Sequence, residues 1–112
     1  MTRYGMVLGL KAEQVARYKE LHAAVWPAVL AMIRQCGIRN YTIYLRRFPD
    51  GQHYLFSTFE YVGADYAADM AKMAADPTTQ AWWAECMPCQ EPLSDCAEGE
   101  WWAPMEEVFH AD

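Results

Sequence analysis

The stretch IRNYTIYLRRFPDGQHYLFSTFEY, residues 38–61, decides the fold. It holds two runs rich in Tyr, Ile, Phe and Thr, Ile38 to Arg46 and His53 to Tyr61, on either side of Phe48-Pro49-Asp50-Gly51. Aromatic and β-branched side chains suit a pleated, half-buried surface, and Asp-Gly supplies the positive-φ corner of a tight turn. The stretch therefore predicts an antiparallel hairpin. In its second strand Leu55, Phe59 and Tyr61 fall on one face and Tyr54 and Phe56 on the other, so neither face reads as fully solvated. Helices can cover one side of such a sheet. A second copy of the same sheet across a twofold axis is the simplest cover for the other side, which predicts a homodimer with pockets between sheet and helix or between sheet and sheet.

Working upstream, Val15, Tyr18, His22, Val25, Val29 and Ile33 recur at steps of three and four, which is helical spacing from Lys11 onward. Pro27 cannot donate to the carbonyl four residues back, so the helix should kink or restart near Trp26-Pro27, and Gly37 supplies a left-handed stop. Before it, Arg3 to Leu10 sets Tyr4, Met6, Leu8 and Leu10 against Gly5, Val7 and Gly9, the period of a strand. The glycines leave room on one face for a close neighbour. Downstream, a helix is expected over Ala64 to Ala75. Asp76-Pro77 interrupts it, with Asp76 a plausible cap for a short helix from Thr78 to Cys86. Met87 to Gly99 reads as loop, and Trp101 to His110 as a closing strand with Pro104 near its edge or start. The order β-α-β-β-α-β predicts an α+β, ferredoxin-like single domain over residues 1–112, with a four-stranded antiparallel sheet and helices on one face.

Composition limits the function. With 112 residues, 54% apolar by count and 16 aromatics (4 Phe, 5 Trp, 7 Tyr), the chain is too rich in groups to bury to be disordered. No stretch approaches the roughly 18 uncharged apolar residues of a membrane span. The net charge of −6 and the scattered bases argue against a nucleic-acid groove. The start lacks the features of a signal peptide, so a cytoplasmic setting is expected. Cys86-Met87-Pro88-Cys89 has metal-type spacing, yet no second CxxC or HxxxH answers it, so free thiols and no metal are expected. Common cofactor and nucleophile motifs are absent from the sequence, and no cofactor is expected.

What remains is local. Tyr18, His22 and Trp26 lie four apart on the apolar helix face, directing an imidazole inward between two aromatics. An imidazole titrates near pH 6.5 and can carry a proton either way, although a core histidine bonded to backbone is the plainer reading of the spacing. The adjacent pair Trp82-Trp83 cannot both face one core, being about 100° apart on a helix. Glu106 and Glu107 would point to opposite faces of the last strand, and His53 and His110 read as structural or solvated.

Four stretches together resemble one family along nearly the whole chain. They are Tyr18-x-x-x-His22-x-x-x-Trp26-Pro27, Asn40-Tyr41-x-Ile43-Tyr44-Leu45, Trp82-Trp83 and Met105-Glu106-Glu107-Val108-Phe109-His110, and they resemble the L-rhamnose mutarotase family. The resemblance implies a dimeric α+β barrel, a cytoplasmic isomerase without cofactor, and an L-rhamnose or related deoxyhexose substrate. It implies His22 as proton donor and Tyr18, Tyr41, Trp82 and Trp83 as sugar contacts, with Trp26, Glu106, Glu107 and His110 as auxiliary candidates. Opening and closing a pyranose ring takes only proton transfers, for which a positioned acid or base contributes about 10² to 10⁴ in rate. The base stays open among Tyr41 through water, Glu106 or Glu107, and His22 acting in both directions. The rival readings are a cofactor-free monooxygenase of the same dimeric fold and a non-catalytic module binding sugar, small aromatics or haem.

Overall fold

The computed structural model describes all 112 residues. Strand β1 (Thr2–Leu10) leads through a short 3₁₀ turn (Ala12–Gln14) into helices α1 (Val15–Ala23) and α2 (Pro27–Gln35). The hairpin β2 (Ile38–Arg47) and β3 (His53–Tyr61) follows, then helices α3 (Tyr66–Ala75) and α4 (Pro77–Cys86), a 3₁₀ turn (Met87–Cys89), and the short strands β4 (Gln90–Glu91) and β5 (Ala103–Met105). All pairings are antiparallel, in the order β2-β3-β1-β4 with β5 also on β1. No helix is long and apolar enough to cross a membrane.

The breaks fall where the backbone chemistry demands them. Pro27 opens α2 after an extended Trp26, and Gly37 takes φ +83° just beyond the end of α2. Asp65 caps α3 by accepting from the Ala68 amide at 3.1 Å. Asp76 caps α4 by accepting from the amide and hydroxyl of Thr79 at 2.9 and 2.8 Å.

The closing strand differs from expectation. Only Ala103–Met105 pairs with β1, opposite Gly5–Val7, while part of the expected loop, Gln90–Glu91, pairs opposite Gly9–Leu10. Both segments lie on one edge of β1, and residues 92–102 loop out opposite the single residue Leu8. Gly9 makes this possible, because a Cβ there would strike the Glu91 carbonyl. Beyond Met105 the chain has no regular structure, so Glu106, Glu107 and His110 do not lie on a strand. Within one chain nothing covers this tail. Val108 and Phe109 are 86% and 82% exposed, and Phe109 does not join the core.

The sheet carries its core on the helical face. One cluster joins Leu10, Tyr18, Leu21, Val29, Leu55, Trp82, Cys86 and Cys89, and a second joins Cys36, Ile38, Phe59 and Met73. A β-bulge shapes that face. The register runs from Arg39↔Glu60 to Thr42↔Thr58, so Asn40 and Tyr41 together oppose Phe59. Asn40 absorbs the extra residue at φ +51° and donates through its side-chain amide to Glu60. The bulge reverses the alternation along β2, and Tyr41 joins Ile38, Ile43 and Leu45 on the helical side.

Candidate active site

Helix α1 sets Tyr18 and His22 one turn apart, so their rings stack with centroids 4.1 Å apart. The His22 Nδ1–H donates to the Tyr18 carbonyl at 2.9 Å. That bond fixes the tautomer, because a carbonyl can only accept, and it leaves Nε2 of the neutral ring with a free lone pair. Burial holds the His22 pKa below the ordinary histidine value, while the carbonyl at Nδ1 opposes this. The imidazole is therefore neutral at pH 7.

Helix α4 supplies the wall. Trp82 meets His22 edge-on at 5.3 Å and Trp26 edge-on at the same separation. Trp82 is buried and Trp83 is 36% exposed, the division that their 100° offset on a helix requires. The bulge of β2 brings in Tyr41, whose ring packs on Phe59 at 5.6 Å. Its hydroxyl lies near enough to Tyr18 to disfavour ionisation of that phenol, and the Cys86 thiol does the same to Tyr41. Burial, the larger cause, pushes the Tyr41 hydroxyl up to about 12 and raises Tyr18 as well. Both phenols thus stay protonated across the neutral range and act as hydrogen-bonding groups. Burial also pushes the Cys86 thiol up to about 12 and raises Cys89, so this CxxC pair carries no thiolate at neutral pH. All four cysteines are free, and no three His, Cys, Asp or Glu side chains converge as metal ligands do.

The fold thus brings Tyr18, His22, Trp26, Tyr41 and Trp82 together from α1, the α1–α2 junction, β2 and α4. It does not bring Glu106, Glu107 or His110 to them; His110 bonds to Asp112 at 3.0 Å in the exposed tail. Two further residues adjoin the site, Gln90, which nothing in the sequence singles out, and Trp101, whose adjacency to Trp102 gives it no role there. Gln90 is buried on β4, and its Nε2 donates to the Tyr18 hydroxyl at 3.4 Å. Trp101, from the looped-out segment, donates its indole N–H to Gln90 Oε1 at 2.8 Å. Trp102 packs against the larger core cluster. Two open clefts of about 550 and 610 Å³ lie at the hairpin end, lined in common by Leu10, Gln52, His53, Glu91 and Pro92. His22 lines neither, and the site is defined by its chemistry, a half-buried imidazole among hydroxyls and aromatic faces.

Comparison with known proteins gives a consistent picture. The sequence profile of a family described as L-rhamnose mutarotase matches residues 3–111. The L-rhamnose mutarotase of Lactiplantibacillus plantarum is 30% identical over 116 aligned residues, covering all of both chains. The L-fucose mutarotase of Xanthomonas campestris pv. campestris is 36% identical over 115, covering 97% of this chain and 87% of that one. Among solved structures, the L-rhamnose mutarotase of Formosa agariphila superposes over the full length of both chains with a TM-score of 0.76 at 21% identity, a likeness of fold.

Proposed function

The chain belongs to the L-rhamnose mutarotase family and is an isomerase, and on that premise we propose that it interconverts the α and β anomers of L-rhamnose with His22 as the proton-transfer residue. The observation that carries this reading is the bond from His22 Nδ1 to the Tyr18 carbonyl, which leaves Nε2 as a neutral proton acceptor beside two phenols and Trp82.

Ring opening must take a proton from the anomeric hydroxyl and deliver one to the ring oxygen. Both oxygens sit on the anomeric carbon, so a single nitrogen facing that carbon can serve them in turn. Nε2 accepts the anomeric proton, and as the ring carbon–oxygen bond breaks the carbonyl forms at the anomeric carbon while the proton on Nε2 passes to the departing ring oxygen. Rotation of the aldehyde and reversal of the steps gives the other anomer. Tyr18 and Tyr41 donate to sugar oxygens, and the faces of Trp26 and Trp82 suit the CH and methyl groups of a deoxysugar. Trp83 contributes at the rim.

Exchange NMR at the anomeric protons tests this. The wild-type protein should exchange the α and β signals of L-rhamnose well above the buffer rate, and His22→Ala should lower its contribution by about 10² to 10⁴ while leaving the fold intact. A folded protein that accelerates neither L-rhamnose nor another deoxyhexose would sink the reading. A second substrate has a specific observation in its favour, the 36% identity to an L-fucose mutarotase. L-Fucose shares the methyl group and ring but inverts the hydroxyls at C2 and C4, and kcat/KM measured on both sugars decides the preference.

The working unit in this reading is a cytoplasmic homodimer, to which four free thiols are suited. The sheet face away from the helices carries Tyr44, Phe48 and Met105, exposed at 63%, 36% and 38%, beside Val7, Tyr54 and Phe56. An aromatic face of this kind, uncovered within one chain, supports pairing with a second copy.

A further inference from the structure

We infer that Gln90, locked by Trp101, is a positioning residue that makes the Tyr18 hydroxyl a one-way donor toward the substrate. This rests on the placement of Tyr18 in the sugar site and adds to it the direction of its hydrogen bond.

A tryptophan N–H can only donate, so the Gln90 atom that receives it at 2.8 Å must be the carbonyl oxygen. The usual ambiguity of a side-chain amide is thereby removed, and the NH₂ end is the one that faces Tyr18, 3.4 Å away. An NH₂ group donates. The phenolic oxygen therefore receives at one lone pair, and its single proton must point elsewhere. No acceptor within the chain takes it. Around Tyr18 the His22 ring stacks on its face and the Tyr41 hydroxyl lies close enough to act on its charge, and it is on this side that the proton is left for the substrate.

A phenol left to itself can rotate and serve as donor or acceptor, and a sugar hydroxyl is equally ambivalent. Fixing one partner removes half of the combinations. A ring or hydroxyl oxygen presented as acceptor is favoured, and a sugar O–H pointed at Tyr18 as donor is not. The preference is imposed from outside the helix that carries His22. It comes from the edge strand β4 and from the segment that loops out between β4 and β5.

The test is a double-mutant cycle on L-rhamnose exchange, combined with a direct view of the amide. Gln90→Met removes both hydrogen bonds of the amide at nearly constant shape and Trp101→Phe removes the indole donor, and each should lower kcat/KM by about 10-fold, the scale of a buried hydrogen bond. In a Tyr18→Phe background neither change should have any further effect, because the group they orient is gone. In ¹H–¹⁵N spectra, the Gln90 side-chain amide should shift on Tyr18→Phe and lose its distinct environment on Trp101→Phe. That measurement stands even where Gln90→Met fails to fold. If Tyr18→Phe lowers the rate but the Gln90 and Trp101 effects add to it in full, the relay is wrong and the site stands. If Tyr18→Phe exchanges L-rhamnose like wild type, the placement of Tyr18 falls and the relay with it. Losses confined to thermal stability, with kcat/KM intact, also overturn the relay.

Discussion

The imidazole of His22 is held by its own helix, through a carbonyl one turn back, and its protonation is set by that arrangement. The fixed Nδ1–H leaves Nε2 as the proposed proton acceptor, and burial favours the uncharged ring. The sign of the pH dependence follows. A base that must be neutral, with its pKa below 6.5, is active at pH 7 and loses activity as the pH falls through its lowered pKa. A pH profile of kcat/KM for L-rhamnose should therefore be flat from pH 7 to 8 and fall on the acid side, below 6.5, with a one-proton slope. A rate that instead drops as the pH rises from 6 to 8 would mean that the imidazolium starts the reaction. Trp26 lies past the end of α1 on extended backbone, but His22 and Tyr18 could be picked from the sequence because a helix repeats its faces at a fixed interval. Gln90 and Trp101 could not, because their partnership spans a loop whose path no local periodicity records.

At the scale of elements, α4 matters because it carries Trp82 against His22. Its N-terminus is anchored by Asp76, which satisfies both the amide and the hydroxyl of the buried Thr79. Removing such a cap costs about 1 kcal/mol, which lowers the melting temperature of a domain of this size by about 4 °C. Asp76→Ala should show that shift in a thermal melt, whereas Asp76→Asn, which keeps an acceptor, should recover most of it. Asp76 and Pro77 were legible in the sequence, as were Pro27 and Gly37, since each acts through its own backbone chemistry. The bulge at Asn40 was not. An extra residue on β2 is a matter of register against β3, and it is what turns Tyr41 toward the helical side. The closing strand was misplaced for a related reason. Two adjacent tryptophans and alternating residues look like a strand, but only Ala103–Met105 pairs with β1, and part of that edge, opposite Gly9–Leu10, is taken by Gln90–Glu91.

For the whole molecule, the sequence of helices and strands along the chain, up to the closing strand, followed from the alternation of periods, and the expectation of a second cover followed from the hairpin's two apolar faces. If a second copy fills that need, light scattering should give twice the 12.9 kDa of one chain. Tyr44→Glu places a charge on the uncovered face and should shift the protein toward monomer, while Leu30→Glu, on the exposed side of α2, should leave the mass unchanged. A monomeric wild type would require another cover for Tyr44, Phe48 and Phe56.

The fourth position of the sheet is filled by two clips of two and three residues rather than one continuous strand. Short edge pairings are where a sheet frays first, well before its central ladder gives way. The amide that aims Tyr18 therefore sits on the weakest seam of the molecule, while His22 sits on a helix packed against its core. Warming should loosen the aim before it loosens the scaffold, so the enzyme would become a poorer judge of sugars while still folded, losing discrimination first and catalysis only later.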